Sequence, residues 1–330
     1  MREVVLSRDQ VGSPVVAHAD KGEKMKNTKK WSNARNRITG VVLHSTIVGL
    51  MTVLLLSQPL AASGFTGLGH ATEFAMLGLP NGSVTISEGT NVFGDFGYAA
   101  GVVSTTNQKV PVGTIFDSTV YVDSTAVFDY TQKNFLPSGG IVIGGAADAK
   151  LALASADAIS ASAEAAALTP VTNLGVLGDD DNRTLNSTGS MNVFSITSLN
   201  YNYDWMQLNG GLNDYFIFNV LGNFDFSGSE IRLSGVTPDH ILWNFPNASS
   251  ILVNKDVSKF YGTILAPTGT VNYHNPGTFG GAIIAKTIYL HSAFNLTNRP
   301  FAPVPEPSAL LLALLGGVSA FGGRLIRKRR

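Results

Sequence analysis

The sequence predicts a mainly β protein that carries one long α-helix. Three observations point there. Short apolar runs rich in β-branched and aromatic residues recur about every ten residues, beginning near Ile231, Ile241, Ile251, Tyr261, Val271 and Gly281. One segment, Ala146–Leu168, holds twelve alanines in 23 residues with no Pro or Gly. The chain has no cysteine, 35 glycines and only 14% charged residues. Strands at 8–12-residue spacing indicate a sandwich, a barrel or a solenoid. No strict short repeat is visible, which argues against a regular hexapeptide β-helix.

The ends differ from the body. The formal charge of zero divides into +5 over residues 1–63, −9 over 64–304 and +4 over 305–330. Basic residues cluster from Lys21 to Arg37, the uncharged run Ile38–Leu56 follows, and Pro59-Leu60-Ala61-Ala62-Ser63 comes next. That order is the n-region, h-region and small-residue cleavage site of a secretory signal. Met25 would start a signal of more usual length than Met1 does. At the other end, an apolar run from Ala309 to Gly323 precedes Arg324, Arg327, Lys328, Arg329 and Arg330. Fifteen residues fall short of the ~20 a stable span needs, and the terminal charges form a basic, cytoplasmic stop.

Within the body, Thr119–Asp123 and Ala126–Tyr130 read as strands, and Asp214–Val220 is apolar on both faces. Ala146–Leu168 reads as one helix of about six turns, ended by Thr169-Pro170. Lys150, Asp157 and Glu164 lie seven residues apart on one stripe. Leu151, Ala152, Ser155, Ile159, Ser162 and Ala166 form the opposite side, expected to pack on a sheet. Asp179-Asp180-Asp181 supplies three adjacent carboxylates but lacks the alternate spacing of a calcium loop, so a solvated loop is expected.

The residues Val304-Pro305-Glu306-Pro307-Ser308, the apolar segment and the final Arg cluster resemble the PEP-CTERM sorting signal of Gram-negative bacteria, also called the ice-binding protein C-terminal segment. The resemblance implies recognition of Pro305, Glu306 and Pro307 by an exosortase-type membrane protease. It also implies passage through the secretion machinery and transient residence in the inner membrane. The destination would be the cell surface or extracellular matrix, with exopolysaccharide or other surface proteins as partners. In the body, Leu242-Trp243-Asn244-Phe245-Pro246, Gly262-Thr263-Ile264-Leu265-Ala266-Pro267 and Gly281-Ala282-Ile283-Ile284-Ala285-Lys286 resemble, in that order, the choice-of-anchor A domain. Val92–Gly97 is similar to that domain's glycine-rich opening. More distantly the body resembles bacterial ice-binding adhesins, which implies an irregular β-solenoid (β-helix-like) with the helix packed alongside. The expected organisation is therefore an extension and secretion signal over 1–63, a solenoid domain over 64–304 and a sorting signal over 305–330. Hydrophobic helices are expected at both termini. Trp243, Asn244, Phe245, Pro246, Gly262, Leu265, Ala266, Pro267 and Gly281 are read as corners and core.

No catalytic constellation assembles. His-Glu-x-x-His, Gly-x-Ser-x-Gly, a phosphate loop and a dinucleotide fingerprint are absent, and no cofactor or metal is expected. His274 and His291 are too distant in sequence for a local metal pair; only the fold could join them. An acidic body argues against nucleic acid. The reading is an exported, non-catalytic surface or matrix protein. Ice binding is one alternative, although Thr85, Thr105, Thr106, Thr263 and Thr270 make no Thr-x-Thr array. A polysaccharide-active enzyme built on Asp204, Asp214, Asp225 or Asp239 is the other.

Overall fold

A computed structural model describes residues 65–86, 90–99, 118–126, 137–247, 250–254, 257, 259–274, 277–291 and 295–302. The chain divides into two units, residues 1–62 and 63–330, and every described residue belongs to the second. In chain order the elements are β1 (Met76–Ile86), β2 (Asn91–Phe93), β3 (Phe96–Tyr98), β4 (Val120–Val122), β5 (Ile141–Ile143) and α1 (Ala146–Ala167). There follow β6 (Thr172–Leu177), β7 (Arg183–Asn186), β8 (Met191–Asn202), β9 (Trp205–Asn209), β10 (Tyr215–Val220) and β11 (Phe224–Ser227). The last are β12 (Glu230–Ser234), β13 (Ile241–Asn244), β14 (Ser250–Asn254), β15 (Lys259–Tyr273), β16 (Thr278–Leu290) and β17 (Asn295–Asn298). The segment Ala126–Tyr130 read as a strand lies, beyond Ala126, outside the described residues.

Each strand pairing is parallel, and six strands close on themselves. β8 pairs β10, β10 pairs β13, β13 pairs β15, β15 pairs β14, β14 pairs β11, and β11 returns to β8. The architecture is thus a mainly β, closed six-stranded parallel barrel with one helix, which corrects the expected irregular β-solenoid. Closure comes from two long strands that turn a corner. The first half of β8 pairs β10 and its second half pairs β11. The Tyr261 and Val271 runs, read as separate strands, are both part of β15, whose halves pair β13 and β14. Ten-residue spacing is the same for an open stack and a closed ring; only the register distinguishes them. The apolar helices expected at the termini are not tested by the structure. Those segments lie outside the described residues, among which no helix is long and apolar enough to cross a membrane.

The barrel interior is aromatic. In register across β8, β10 and β13, Phe194 stacks on Phe218 at 5.3 Å and Phe218 on Trp243 at 4.2 Å. Phe260 and Phe279 continue the stack at 5.5 Å. Each such pair contributes about 0.5–1.5 kcal/mol beyond its buried area. The strands beneath the helix are covered on both faces, so β10 and β13 are buried at every position. Parallel strands buried on both faces read as continuous apolar runs, which explains Asp214–Val220.

The helix α1 ends one residue before the predicted limit. It starts where Asp148 sits in the first turn, favourable to the helix dipole. Its buried face is Ala147, Leu151, Ala154, Ser155, Ala158, Ala161, Ser162 and Ala165. That corrects the predicted face: Leu151, Ser155 and Ser162 are buried, whereas Ala152, Ile159 and Ala166 are exposed. Lys150, Asp157 and Glu164 border the buried stripe instead of opposing it. A helix of small residues lets its axis approach the sheet, and the charges at its margin pin it there. Lys150 Nζ reaches Glu73 Oε2 at 3.1 Å and Asp95 Oδ2 at 3.3 Å, and lies 4.0 Å from the Tyr121 ring centroid. Asp157 Oδ2 accepts the His70 backbone N–H at 2.7 Å.

Candidate functional site

The sequence-matched blocks occupy the wall between barrel and helix. Trp243 and Phe245 point into the barrel and are fully buried, and Trp243 Nε1–H donates to the Tyr261 carbonyl at 2.9 Å. Asn244 points the other way, toward α1. Its Nδ2 donates to the Ser162 carbonyl at 3.0 Å and to Asn219 Oδ1 at 2.8 Å, while its Oδ1 accepts the Ser162 hydroxyl at 2.6 Å. Asn219 Nδ2 in turn donates to the Ala165 carbonyl at 2.7 Å. Leu265 faces the helix and Ala266 the barrel. Pro246 follows β13, and Pro267 sits where the register of β15 shifts between Ala266 and Thr270. Gly262 has φ +104°, and a Cβ on Gly281 would lie 1.9 Å from the Gly262 carbonyl oxygen. This is a backbone crossing where only glycine fits. These residues build the scaffold. Pro305, Glu306, Pro307 and the basic cluster Arg324–Arg330 lie outside the described residues.

Of the acids considered for catalysis, three accept hydrogen bonds through their carboxylates. Buried Asp204 accepts the backbone N–H groups of Asp180 and Asn202, both at 3.1 Å. Asp214 accepts the Gly211 N–H at 2.8 Å; that bond, with help from the Ser187 hydroxyl, holds its carboxyl below the usual range. Asp225 accepts the Ser227 hydroxyl at 2.5 Å. Asp239 belongs to a short 3-10 turn, Pro238–His240, and its carbonyl accepts the Ala302 N–H at 2.7 Å. In the three-carboxylate loop, Asp181 is engaged by Arg183 through two bonds of 2.9 and 3.1 Å. Among the described residues no group of three or more His, Cys, Asp or Glu could hold a metal.

What the fold presents outward is a set of rows that run across the strands. One side of the barrel is covered by α1. A second side is built from β11, β14 and the late halves of β8 and β15, and continues past the closed ring through the late halves of β16 and β1. Its inward residues are buried: Leu199, Tyr201, Phe224, Phe226, Ile251, Val253, Val271, Tyr273, Ile288 and Leu290. The alternate residues face out. Ser83, Thr287, Thr270 and Ser250 are cross-strand neighbours and form one hydroxyl row. Thr85, Tyr289, Asn272, Leu252, Asp225 and Asn200 form the next. Neighbours in such rows are about 4.8 Å apart. Asp225 is the one charged side chain in these two rows. A third side, built on β7, β9 and β12, is more charged: Arg232 pairs with Glu230 and lies 4.8 Å over the Trp205 ring.

Sequence reasoning missed both rows, because they run across strands and not along them. Of the threonines weighed for an array, Thr85 and Thr270 lie on this side in adjacent rows. Thr263 is buried and accepts the Phe301 N–H at 2.8 Å. Thr105 and Thr106 lie outside the described residues. Among the described histidines, His274 and His291, 17 residues apart, stack at 3.9 Å and 8°. The fold joins what only the fold could join.

No curated protein matches the chain. Several solved structures resemble it. An ice-binding protein from an Arctic yeast, described for its antifreeze activity, is 20% identical over 73% of this chain and 97% of its own, with a TM-score of 0.51. An ice-binding protein from an Antarctic biological consortium is 20% identical over 70% and 89%, with a TM-score of 0.49. One from the Antarctic ascomycete Antarctomyces psychrotrophicus is 17% identical over 73% and 100%, with a TM-score of 0.48. The yeast protein shows a shared fold. The family model of the ice-binding-like adhesive domain matches residues 73–296, a span that runs from three residues before β1 into β17. With more than half its length matched by that model, the chain belongs to the ice-binding-like adhesive domain family.

Proposed function

We propose that this is an exported, non-catalytic surface protein that adheres through the second, nearly uncharged side of its barrel. The observation that carries the reading is that side itself. It has six strands in register, a fully packed interior behind them, and outward rows of hydroxyl, amide and aromatic groups. A rigid face of that kind makes many weak contacts at once, at little ordering cost. It suits an extended solid or polymer better than a small ligand, which would need a concave pocket. In this reading the body belongs to the choice-of-anchor A type. The N-terminal signal directs secretion, and the PEP-CTERM tail is processed at Pro305-Glu306-Pro307 by an exosortase-type protease. The destination is the surface or matrix of a Gram-negative cell, with exopolysaccharide as the partner.

Ice is the second reading, favoured by the aligned row Ser83–Thr287–Thr270–Ser250 and by what the structural neighbours bind. Against it, the adjoining row mixes Tyr289, Leu252 and Asp225, whose differing lengths and charge roughen the surface. Two measurements separate the readings. Retention of the secreted protein on exopolysaccharide from its source is expected, with thermal hysteresis no greater than that of an inert protein. Strong hysteresis without retention would reverse the choice. Mass spectrometry of the secreted form is expected to show cleavage near Ser63 and near Pro305; an intact chain would overturn the export scheme.

A further inference from the structure

We infer that the barrel is tethered by one corner, which faces a lipid surface, with its adhesive second side turned away from the membrane; the inference rests on the export and sorting reading above. The observation behind it is where the two ends of the described body meet. Phe65 and Phe301, each at most 1% exposed, pack with ring centroids 5.6 Å apart. The Phe301 ring also lies 5.5 Å from that of Tyr215, which stacks on His240 at 4.2 Å. Two bonds fasten the last residues: the Phe301 N–H donates to the Thr263 hydroxyl at 2.8 Å, and the Ala302 N–H to the Asp239 carbonyl at 2.7 Å. The beginning and the end of the body are thus locked into one buried aromatic cluster.

The partners in that cluster mark one corner of the barrel. Along β15, Lys259 pairs β12 on the third side, Thr263–Leu265 pair β13 beneath the helix, and Thr270–Tyr273 pair β14 on the second side. The strand therefore passes from the third side to the helix side at Gly262 and Thr263, and Gly262 makes the bend with φ +104°. Tyr215 opens β10 after β9, and the Pro238–His240 turn leads from β12 into β13. Both are crossings from the third side to the helix side. In a three-sided barrel the corner between two sides lies opposite the remaining one. Phe65 and Phe301 hence sit across the width of the barrel from Ser250 and Thr270. Six residues, 303–308, separate Ala302 from the apolar run that begins at Ala309. They reach at most about 22 Å, which keeps this corner near the bilayer that the run enters. With the chain bonded at Phe301 and Ala302, the tether cannot move to another side without breaking the cluster.

The test is energy transfer between the full-length protein and lipid. The chain has no cysteine, so Thr66→Cys, beside Phe65, and Ser250→Cys, in the hydroxyl row, each carry a single donor dye; both positions are exposed. Each labelled protein is reconstituted into vesicles of phosphatidylethanolamine and phosphatidylglycerol whose headgroups carry the acceptor, and circular dichroism identical to wild type confirms the fold. Transfer from position 66 is expected to be at least twice that from position 250. Equal transfer, or more from position 250, in protein that floats with the vesicles would overturn the orientation alone. Failure to float with the vesicles would overturn the inference together with the sorting-tail reading beneath it.

Discussion

Replacing Asn244 by alanine should loosen the helix from the barrel. The side chain makes three bonds, of 2.6, 2.8 and 3.0 Å, inside a wall where Asn244, Asn219 and Ser162 are all at most 3% exposed. Alanine leaves the Ser162 carbonyl, the Ser162 hydroxyl and Asn219 Oδ1 each without that partner. A buried polar group deprived of its bond costs about 1–3 kcal/mol. Water can enter the small space vacated and recover part of this, so a net loss of about 3–5 kcal/mol is expected. For a domain of this size that corresponds to roughly 6–20 °C in melting temperature. Urea unfolding followed by circular dichroism measures it. A double-mutant cycle with Ser162→Ala should show coupling above about 1 kcal/mol, because the second substitution removes the orphaned hydroxyl, one of the three groups left without a partner. A loss below about 1 kcal/mol, or additive effects of the two substitutions, would refute the reasoning.

Other predictions bear on packing and charge. Gly281→Ala places a Cβ 1.9 Å from the Gly262 carbonyl oxygen, so it should cost more than about 3 kcal/mol and show as loss of soluble protein on expression. Tyr98 is buried and its hydroxyl has no partner among the described residues; Tyr98→Phe should raise stability by about 1 kcal/mol in the same urea assay. The Glu73 carboxyl is held below its usual range by hydrogen bonds from His70 and then Lys150. Its stabilising contribution is therefore complete above the ordinary carboxylate value of about 4.3 and is lost as the pH falls through the lowered value. Urea midpoints of wild type and Glu73→Gln should differ at pH 6 and converge toward pH 3.

Much of the architecture was readable because it rests on local chemistry. The alanine run favoured a helix over a low-complexity linker, and Asp214–Val220, apolar on both faces, was the strongest strand candidate. The barrel closure was not readable, since the Tyr261 and Val271 runs look like two strands when spacing alone is considered. The register shift at Pro267 is what keeps them one strand with a corner. The helix face was misjudged because charge was taken to mean exposure. Lys150 instead snorkels along the edge of the packed stripe to reach Glu73 and Asp95. The outward rows and the His274–His291 stack arise across strands, where sequence order carries no signal. The Asn network did leave a trace. Ile217-Phe218-Asn219 and Leu242-Trp243-Asn244 repeat an apolar–aromatic–Asn pattern 25 residues apart, and an amide inside an apolar run calls for a buried partner.

The central claim is that adhesion uses the second side of the barrel. Its most direct test is retention of the secreted protein on isolated exopolysaccharide after a single charge is placed in the hydroxyl row. Thr270→Glu lies in that row between Thr287 and Ser250, while Thr184→Glu lies on the exposed third side. With unchanged circular dichroism, Thr270→Glu should reduce retention more than tenfold and Thr184→Glu should leave it unaltered. Retention that survives Thr270→Glu, or that falls equally with Thr184→Glu, would contradict the account.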